Sequence, residues 1–468
     1  MGQTPWSARV PRDPLSSPRI KSFDNFERPT GRRPQSRGTA PPRAILQAMA
    51  GKTISEKILS AKSGVDARAG GVVVCPADCA MGTDGSAHMA IDYFEAMGGR
   101  SVPYAARIVF ALDHYAPAPN RAIALLHQRL REFSGQFGIE LWDVGQGIGH
   151  QLMVESGRAA PGGLVVGADS HAVTYGALNA FATGIGSSDL AAILICGRLW
   201  LRVPESIRVS LTGQLPRGVY AKDAALALAA TLGADGAAYQ ALEFGGPGVG
   251  ALDMDDRLVL SNFAVEMGAK NGIFPADERT SEYLSGRSRQ DFAAVEADAD
   301  ARYAREIALN LDALSPQLAL PHQVDRVEPL AQAAGTPVQM VYLGTCTGGR
   351  VKDFHQARDV LKAGGGVARG VQLVVTPASR AVMETLARDG TLADFVAMGA
   401  VIVTPGCGSC CGTCGAIPGD GANVISTASR NFKGRMGNSG AFIYLASPAS
   451  CAAAAVRGSI TDPREIEP

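Results

Sequence analysis

The chain has 468 residues, of which 44 are basic, 44 are acidic and 46% are apolar. This length predicts about three domains, and the apolar content excludes a wholly disordered, collagen-like or coiled-coil protein. The balanced charge gives no sign of a nucleic-acid partner. The longest apolar run, Leu190–Cys196, is much shorter than a membrane helix, so we expect no membrane partner.

Residues 1–48 are rich in proline and basic residues and show little apolar periodicity, so we predict that they are disordered. A transit peptide is the alternative, which the acidic residues Asp13, Asp24 and Glu27 disfavour. Translation that starts at Met49 is a third interpretation. Because we find no signal-peptide core and the nine cysteines are too sparse for a disulfide framework, we expect a cytoplasmic protein.

After Met49, short apolar runs rich in β-branched residues alternate with helical stretches. We predict strands at Gly71–Cys75, Ile108–Leu112, Leu164–Val166, Val341–Leu343, Val371–Val375 and Val401–Val403. We predict helices at Arg121–Phe133, which Asn120 caps, at Lys352–Lys362 and at Ala381–Met398. This alternation predicts an α/β fold with mainly parallel sheets.

Four of the predicted strands lead into residues that can carry chemistry. These residues are Asp113 and His114, Asp169 to His171, Cys346, and Cys407 with Cys410. Ligands of open α/β sheets bind at the carboxyl ends of the strands. We therefore expect these strand ends to share one active site.

Four of the nine cysteines lie within the eight residues Cys407–Cys414, and Cys346 precedes them. A structural zinc site needs two ligand pairs about a dozen or more residues apart, which this cluster lacks. A thioredoxin-like motif opens a helix, whereas Gly415 and Pro418 follow here. The third interpretation is an iron–sulfur cluster bound by Cys346 and one CxxC pair. The remaining cysteines are expected in the core: Cys75, Cys79, Cys196 and Cys451.

Four short motifs occur in order along the chain. They are Gly167–His171 with Gly184–Ser188, Leu343–Arg350, Thr404–Cys410 and Ser429–Arg435. In this order they resemble the GDSHT…GIGTSE, GSCTNxR, PGCxxC and NRNFxGR motifs of the aconitase superfamily. Within it the chain most resembles the large subunits of 3-isopropylmalate dehydratase, homoaconitase and dimethylmalate dehydratase.

The resemblance implies an aconitase-like fold of three α/β/α domains, with mainly parallel sheets around a shared iron–sulfur site. We expect the domains at residues 49–205, 206–335 and 336–468. It also implies that Cys346, Cys407 and Cys410 hold a [4Fe–4S] cluster with one open iron. Cys411 and Cys414 have no counterpart in the motif, and they are either spare thiols or a replacement for the first pair.

The implied reaction is the reversible dehydration of a hydroxy-dicarboxylate, most simply the isomerisation of 2- and 3-isopropylmalate in leucine biosynthesis. Its catalytic residues would be three acid–histidine pairs: Asp113 with His114, Asp169 with His150, and Glu266 with His171. His114 would protonate the departing hydroxyl group. Substrate or cluster contacts would come from Ser170 and Asn262, and carboxylate binding from Arg430 and Arg435.

Single-chain aconitases continue into a swivelling domain that supplies a serine base and an arginine. We find no such segment after Gly458, so the resemblance implies a heterodimer that is inactive without a separate small subunit. Gly348 and Ser429 stand where the family has asparagine, Thr345 stands in place of serine, and Thr83 in place of glutamine or histidine. Because of these departures, three alternative interpretations remain: a homoaconitase, a dimethylmalate dehydratase, and a decayed or non-enzymatic relative.

Overall fold

The protein is described by a computed structural model over residues 51–289 and 291–466, which contain four β-sheets. The predicted disordered segment, residues 1–48, lies outside the described residues. No helix in these two ranges is both long enough and apolar enough to cross a membrane.

The first parallel sheet lies between residues 79 and 184. The elements from the start of the described chain are α1 (Ile54–Ser63), β1 (Val72–Pro76), β2 (Cys79–Thr83), α2 (Asp84–Ala96), β3 (Ile108–Ala111), α3 (Arg121–Phe137), β4 (Glu140–Trp142), α4 (Gly149–Glu155), β5 (Leu164–Gly167), β6 (Phe181–Gly184), α5 (Ser187–Cys196) and β7 (Arg198–Arg202). The sheet has the order β4-β3-β2-β5-β6 and is parallel throughout. Strands β1 and β7 form a separate antiparallel ribbon.

The second sheet follows between residues 206 and 310. Its region contains β8 (Ser206–Thr212), α6 (Ala221–Leu232), β9 (Ala241–Gly245), α7 (Met254–Phe263), β10 (Asn271–Ile273), α8 (Glu278–Leu284) and β11 (Arg305–Asn310). The four strands are parallel in the order β10-β9-β8-β11. None of them is among the predicted strands, although β8 carries a readable signal, because its apolar residues Ile207, Val209 and Leu211 alternate with polar ones.

The third sheet occupies residues 317–445. Its region contains β12 (Gln317–Ala319), β13 (Val327–Pro329), β14 (Met340–Leu343), α9 (Val351–Ala363), β15 (Gln372–Val375), α10 (Arg380–Arg388), α11 (Thr391–Ala397), β16 (Val401–Ile402), β17 (Asn423–Ser426), β18 (Phe442–Leu445) and α12 (Pro448–Arg457). The order is β13-β12-β18-β17-β14-β15-β16. Only the pairings of β12 are antiparallel.

The predicted α/β fold with mainly parallel sheets is confirmed, and each of the six predicted strands is present within one or two residues. The single helix predicted at Ala381–Met398 is wrong, because Gly390 adopts a left-handed φ of 83° and separates α10 from α11. Cys196 is exposed, at the end of α5, and so is not the core residue that we expect. Cys75, Cys79 and Cys451 are buried as predicted. The domain boundaries stay a prediction.

Candidate active site

The carboxyl ends of strands from two sheets meet at one small cavity. The first sheet contributes His114 after β3 and Asp169 and His171 after β5, while the third contributes Cys346 after β14 and Cys407 and Cys410 after β16. His150 from α4, Ser429 and Arg435 complete the lining, with Ile148 and Thr345. The structure therefore brings the histidines and the three cysteines of the predicted site together.

A strained turn presents Cys346 to the cavity. Thr345, the residue before it, has a φ of 74°, which is unusual for a β-branched side chain. The turn is held by the Thr345 hydroxyl, which accepts a hydrogen bond from the Thr347 amide at 3.1 Å. A Cβ on Gly348 would lie 2.4 Å from Cβ of Thr427, so any larger residue at this position would require Thr427 to shift.

His114 is held from both sides of its ring by carboxylates. Its Nδ1 lies 2.7 Å from Oδ1 of the fully buried Asp113, and its Nε2 lies 3.4 Å from Oδ2 of Asp169. Burial would lower the pKa of His114, but the Cys407 sulfur, when ionised, and the Asp113 carboxylate, which also hydrogen-bonds the ring, outweigh it and raise that pKa well above its usual value. The geometry therefore favours a protonated imidazolium at neutral pH, as an acid catalyst needs.

Asp169 connects the three histidines. Its Oδ1 lies 2.8 Å from Nε2 of His150 and accepts the backbone N–H of His171 at 2.8 Å. Burial would raise the pKa of this carboxyl, but the neighbouring histidines hold it well below its usual range. The other ring nitrogen of His150 lies 2.9 Å from the hydroxyl of Tyr175, so the imidazole is fixed at both ends.

His171 is paired with Glu266, whose Oε1 lies 2.8 Å from its Nε2. The same nitrogen lies 2.9 Å from Oγ of Ser429, the residue that stands in place of the family's asparagine. Glu266 also accepts hydrogen bonds from Nε of Arg430 at 2.8 and 3.0 Å. Although burial would raise the pKa of Glu266, His171 and Arg430 keep it below its usual value. All three predicted acid–histidine pairs are thus within hydrogen-bond distance.

The predicted substrate-binding residues are placed differently from one another. Arg435 lines the cavity, and its Nη2 lies 3.6 Å from Sγ of Cys410. Arg430 donates to Oγ of Ser170 at 2.9 Å, and neither residue is part of the cavity lining. Asn262 is fully buried and is not part of the lining, and its amide donates to Oγ1 of Thr174 at 2.7 Å. Their roles stay predictions.

The three thiols of the cavity fit an iron–sulfur cluster better than a hard cation. Soft sulfur ligands are the donor set that iron–sulfur clusters use. Burial raises the pKa of Cys346 to about 11 and that of Cys407 well above its usual value, and metal binding would deprotonate both. The buried Nε of Arg435 has no hydrogen-bond partner, so an additional acceptor would fit beside it. Two further groups combine different types of metal ligand: Asp113–His114–Cys407 and His150–Asp169–His171. In each group the atoms that could bind a metal lie within 4.8 Å of one another.

Cys411 and Cys414 do not line the cavity. Their thiols donate instead to the backbone carbonyl of His114, each at 3.4 Å, and the hydroxyl of Thr413 donates to the same oxygen at 2.5 Å. These three side chains therefore support the loop that carries His114. Their positions favour the interpretation as spare thiols over replacement ligands.

Asp84 is a residue that sequence analysis does not assign to the site. It is fully buried, and its carboxylate accepts the backbone N–H groups of His114 and Tyr115, both at 3.0 Å. Its Oδ2 lies 3.1 Å from Nε2 of His127, a buried residue of α3. The signal for Asp84 is its position directly after β2, the same rule that identifies Asp113 and Asp169.

The model of the family "Aconitase family (aconitate hydratase)" matches residues 56–458. This chain belongs to the aconitase family. Membership implies an iron–sulfur cluster, in agreement with the thiols of the cavity.

Relatives within the aconitase family are similar over nearly their whole length. The 3-isopropylmalate dehydratase large subunit 2 of Archaeoglobus fulgidus is 48% identical over 89% of this chain and 100% of its own. The corresponding large subunit 1 of Methanopyrus kandleri is 46% identical over 88% and 99%. The homoaconitase large subunit of Thermus thermophilus is 45% identical over 89% and 98%.

Proposed function

We propose that this chain is the large subunit of a hydro-lyase that reversibly dehydrates a hydroxy-dicarboxylate, with 2- and 3-isopropylmalate as the leading substrates. The observation that carries this proposal is the convergence of three thiols and three acid–histidine pairs at one cavity. The relatives named 3-isopropylmalate dehydratase large subunit, at 46% and 48% identity, support the substrate class. The cytoplasmic location and the link to leucine biosynthesis stay predictions.

Cys346, Cys407 and Cys410 would hold a [4Fe–4S] cluster. When bound, a cluster with an open iron supplies a Lewis acid for the substrate hydroxyl and carboxylate. His114 holds the proton that the departing hydroxyl takes up, and Asp113 fixes its ring by hydrogen bonding to Nδ1 at 2.7 Å. Arg435 offers a guanidinium to a substrate carboxylate at the cavity wall.

The partner in this proposal is a separate small subunit that supplies the carbanion-forming base. The "large subunit" names of the relatives support such a partner. Homoaconitase is the second candidate function, because a relative with that name is 45% identical over the same share of this chain.

The first experiment measures iron and acid-labile sulfide per chain after anaerobic purification. We expect about four of each, lost in Cys346→Ser and retained in Cys196→Ser, a control that removes an exposed thiol away from the cavity. Zinc in place of iron, or no metal after reconstitution, would contradict the cofactor.

With a small subunit added, alkene formation from isopropylmalate and not from homocitrate would select the leading substrate, and the reverse would select homoaconitase.

A further inference from the structure

Lys222, the second residue of α6, is a buried cation next to the cavity and has no role in the mechanism above. Its side chain is 2% exposed. Its Nζ donates to Oγ1 of Thr347 at 3.1 Å and to the carbonyl oxygens of Thr427 and Ala428 at 3.1 and 2.7 Å. The ring of Phe263 lies 4.5 Å below the ammonium. Lys222 therefore joins α6 to the loop that carries Cys346 and to the loop that leads to Ser429.

The contacts of Lys222 leave its charge without a paired anion. Within residues 51–289 and 291–466, no carboxylate oxygen lies within 4.0 Å of Nζ. The carboxylate of the neighbouring Asp223 accepts the backbone N–H groups of Tyr220 and Gln317, at 2.8 Å each. A buried charge is costly unless an opposite charge compensates it. Two carbonyls, a hydroxyl and an aromatic ring only partly compensate an ammonium.

Lys222 lies beside the turn that carries Cys346, because its Nζ donates to the hydroxyl of Thr347, the next residue along the chain. Burial lowers the pKa of Lys222 to about 8, and the thiols of Cys346, Cys451 and Cys410, once ionised, would act in the opposite direction together with Glu266. Cys346 and Cys410 become thiolates when they bind metal. Anionic charge would therefore arise at Cys346, the residue next to Thr347, when the cluster is bound.

We propose that Lys222 is a positioning residue that supplies a counter-charge to the bound iron–sulfur cluster and holds the Cys346 and Ser429 loops against it. The inference rests on the proposed function, since it requires that the three cysteines bind a cluster. Hydrogen bonds and fixed charges around a cluster influence its reduction potential and its stability. A nearby ammonium favours the reduced form, because reduction adds negative charge.

The test compares neutral variants of Lys222 in the full-length, anaerobically loaded protein. Lys222→Gln keeps N–H donors and removes the charge, and Lys222→Met removes both. The expected result is a more negative cluster reduction potential in both variants, measured by spectroscopic redox titration. We also expect about 10-fold faster loss of iron to a chelator, in the range typical of residues that support metal ligands.

Lys270 provides a matched control. It is half-buried, its Nζ donates to the carbonyl oxygen of Gly184 at 3.1 Å, and it lies 5.5 Å from the ring of Tyr239. Burial lowers its pKa too, but the acid acting on it is Asp189 and no thiol is involved. We expect Lys270→Met to retain the wild-type potential and the wild-type rate of iron loss.

A thermal measurement separates this role from a purely structural one. Loading the cluster should raise the melting temperature of the wild type and of Lys270→Met more than that of either Lys222 variant. Equal gains on loading, with an unchanged potential, would overturn the counter-charge even if the Lys222 variants are less stable. A wild-type potential in Lys222→Gln, with a shifted potential in Lys222→Met, would also overturn the counter-charge. Hydrogen bonding would then be the role of the residue. Absence of iron from the wild type would overturn the proposed function itself.

Discussion

At the scale of single residues, His114 is where the contacts of the site converge. Its ring lies between Asp113 and Asp169, its amide donates to Asp84, and its carbonyl accepts from Thr413 and two thiols. An exposed histidine titrates near neutrality, whereas the pKa of His114 is raised well above that. The surroundings of this residue therefore keep it protonated, although burial acts in the opposite direction.

Asp113→Asn should lower the pKa of His114, because it removes one of the anions that counter the effect of burial. The protonated form is the proposed acid, so the alkaline limb of the kcat/KM profile should move to lower pH. A rate loss of about 100-fold or more is expected at neutral pH. The measurement is a pH profile of the complete two-subunit enzyme. An alkaline limb at the wild-type position would show that another group titrates there.

Asp84→Asn should impair the site although Asp84 does not line the cavity. An amide group replaces one of the two carboxylate oxygens that accept the N–H groups of His114 and Tyr115, leaving one donor unpaired. We expect a free energy of unfolding lower by about 1–3 kcal/mol and a fall in kcat greater than any change in KM. Asp92→Asn is the control, because Asp92 lies on the same helix and makes an exposed ion pair with Arg129. Equal effects of the two substitutions would contradict this role for Asp84.

At the scale of elements, the ends of helices are set by local chemistry. Asn120 caps α3, as predicted, through a hydrogen bond from the Ile123 amide to its Oδ1 at 3.1 Å. Gly390 separates α10 from α11, because its left-handed backbone conformation interrupts the helical hydrogen bonds. Apolar periodicity continues across this break, which is why the pattern alone predicts a single helix.

Asn120→Ala should lower the free energy of unfolding by about 1 kcal/mol, because the amide of Ile123 loses its capping acceptor. Denaturant titration of the cluster-free protein measures this change with no contribution from metal. Gln128→Ala, on the same helix, removes only an exposed hydrogen bond to Glu132 and should change stability by less than about 0.5 kcal/mol. A cap substitution no more costly than this control would contradict the assignment.

At the scale of the whole molecule, the site joins two sheets that are distant in sequence. The first sheet supplies the histidines and Asp169, and the third supplies the three cysteines. Helices α6 and α7 pack in one apolar cluster with residues of the third sheet, including Tyr342 and Val424. A cluster bound at the cavity would therefore stabilise the contacts between these regions, in addition to the loops that carry its cysteines.

Removal of iron by a chelator should lower the melting temperature, because the cluster binds only the folded chain. Hydrogen exchange should increase at residues 344–350 and 404–415, where the cysteines lie. Cys346→Ser should melt at one temperature with and without the chelator. A wild-type melting temperature that the chelator does not change would contradict a cluster that links the two sheets.

The fold class, the six predicted strands and the family could be predicted from the sequence, because buried strands and ordered motifs are local patterns. The same local rules placed Asp113, Asp169 and the cysteines at strand ends. Strands β9 and β10 could not be predicted, since strands of five and three residues are too short to carry a clear periodic signal.

Which side chains meet depends on contacts between residues that are far apart in the sequence. Asp84 reaches His114 across 30 positions, and Lys222 reaches Thr427 across 205. Cys411 and Cys414 have the spacing of a ligand pair, yet their thiols contact the carbonyl of His114. Sequence spacing sets which residues are neighbours along the chain, whereas the direction of each side chain depends on how distant strands pair and on which loop packs against it.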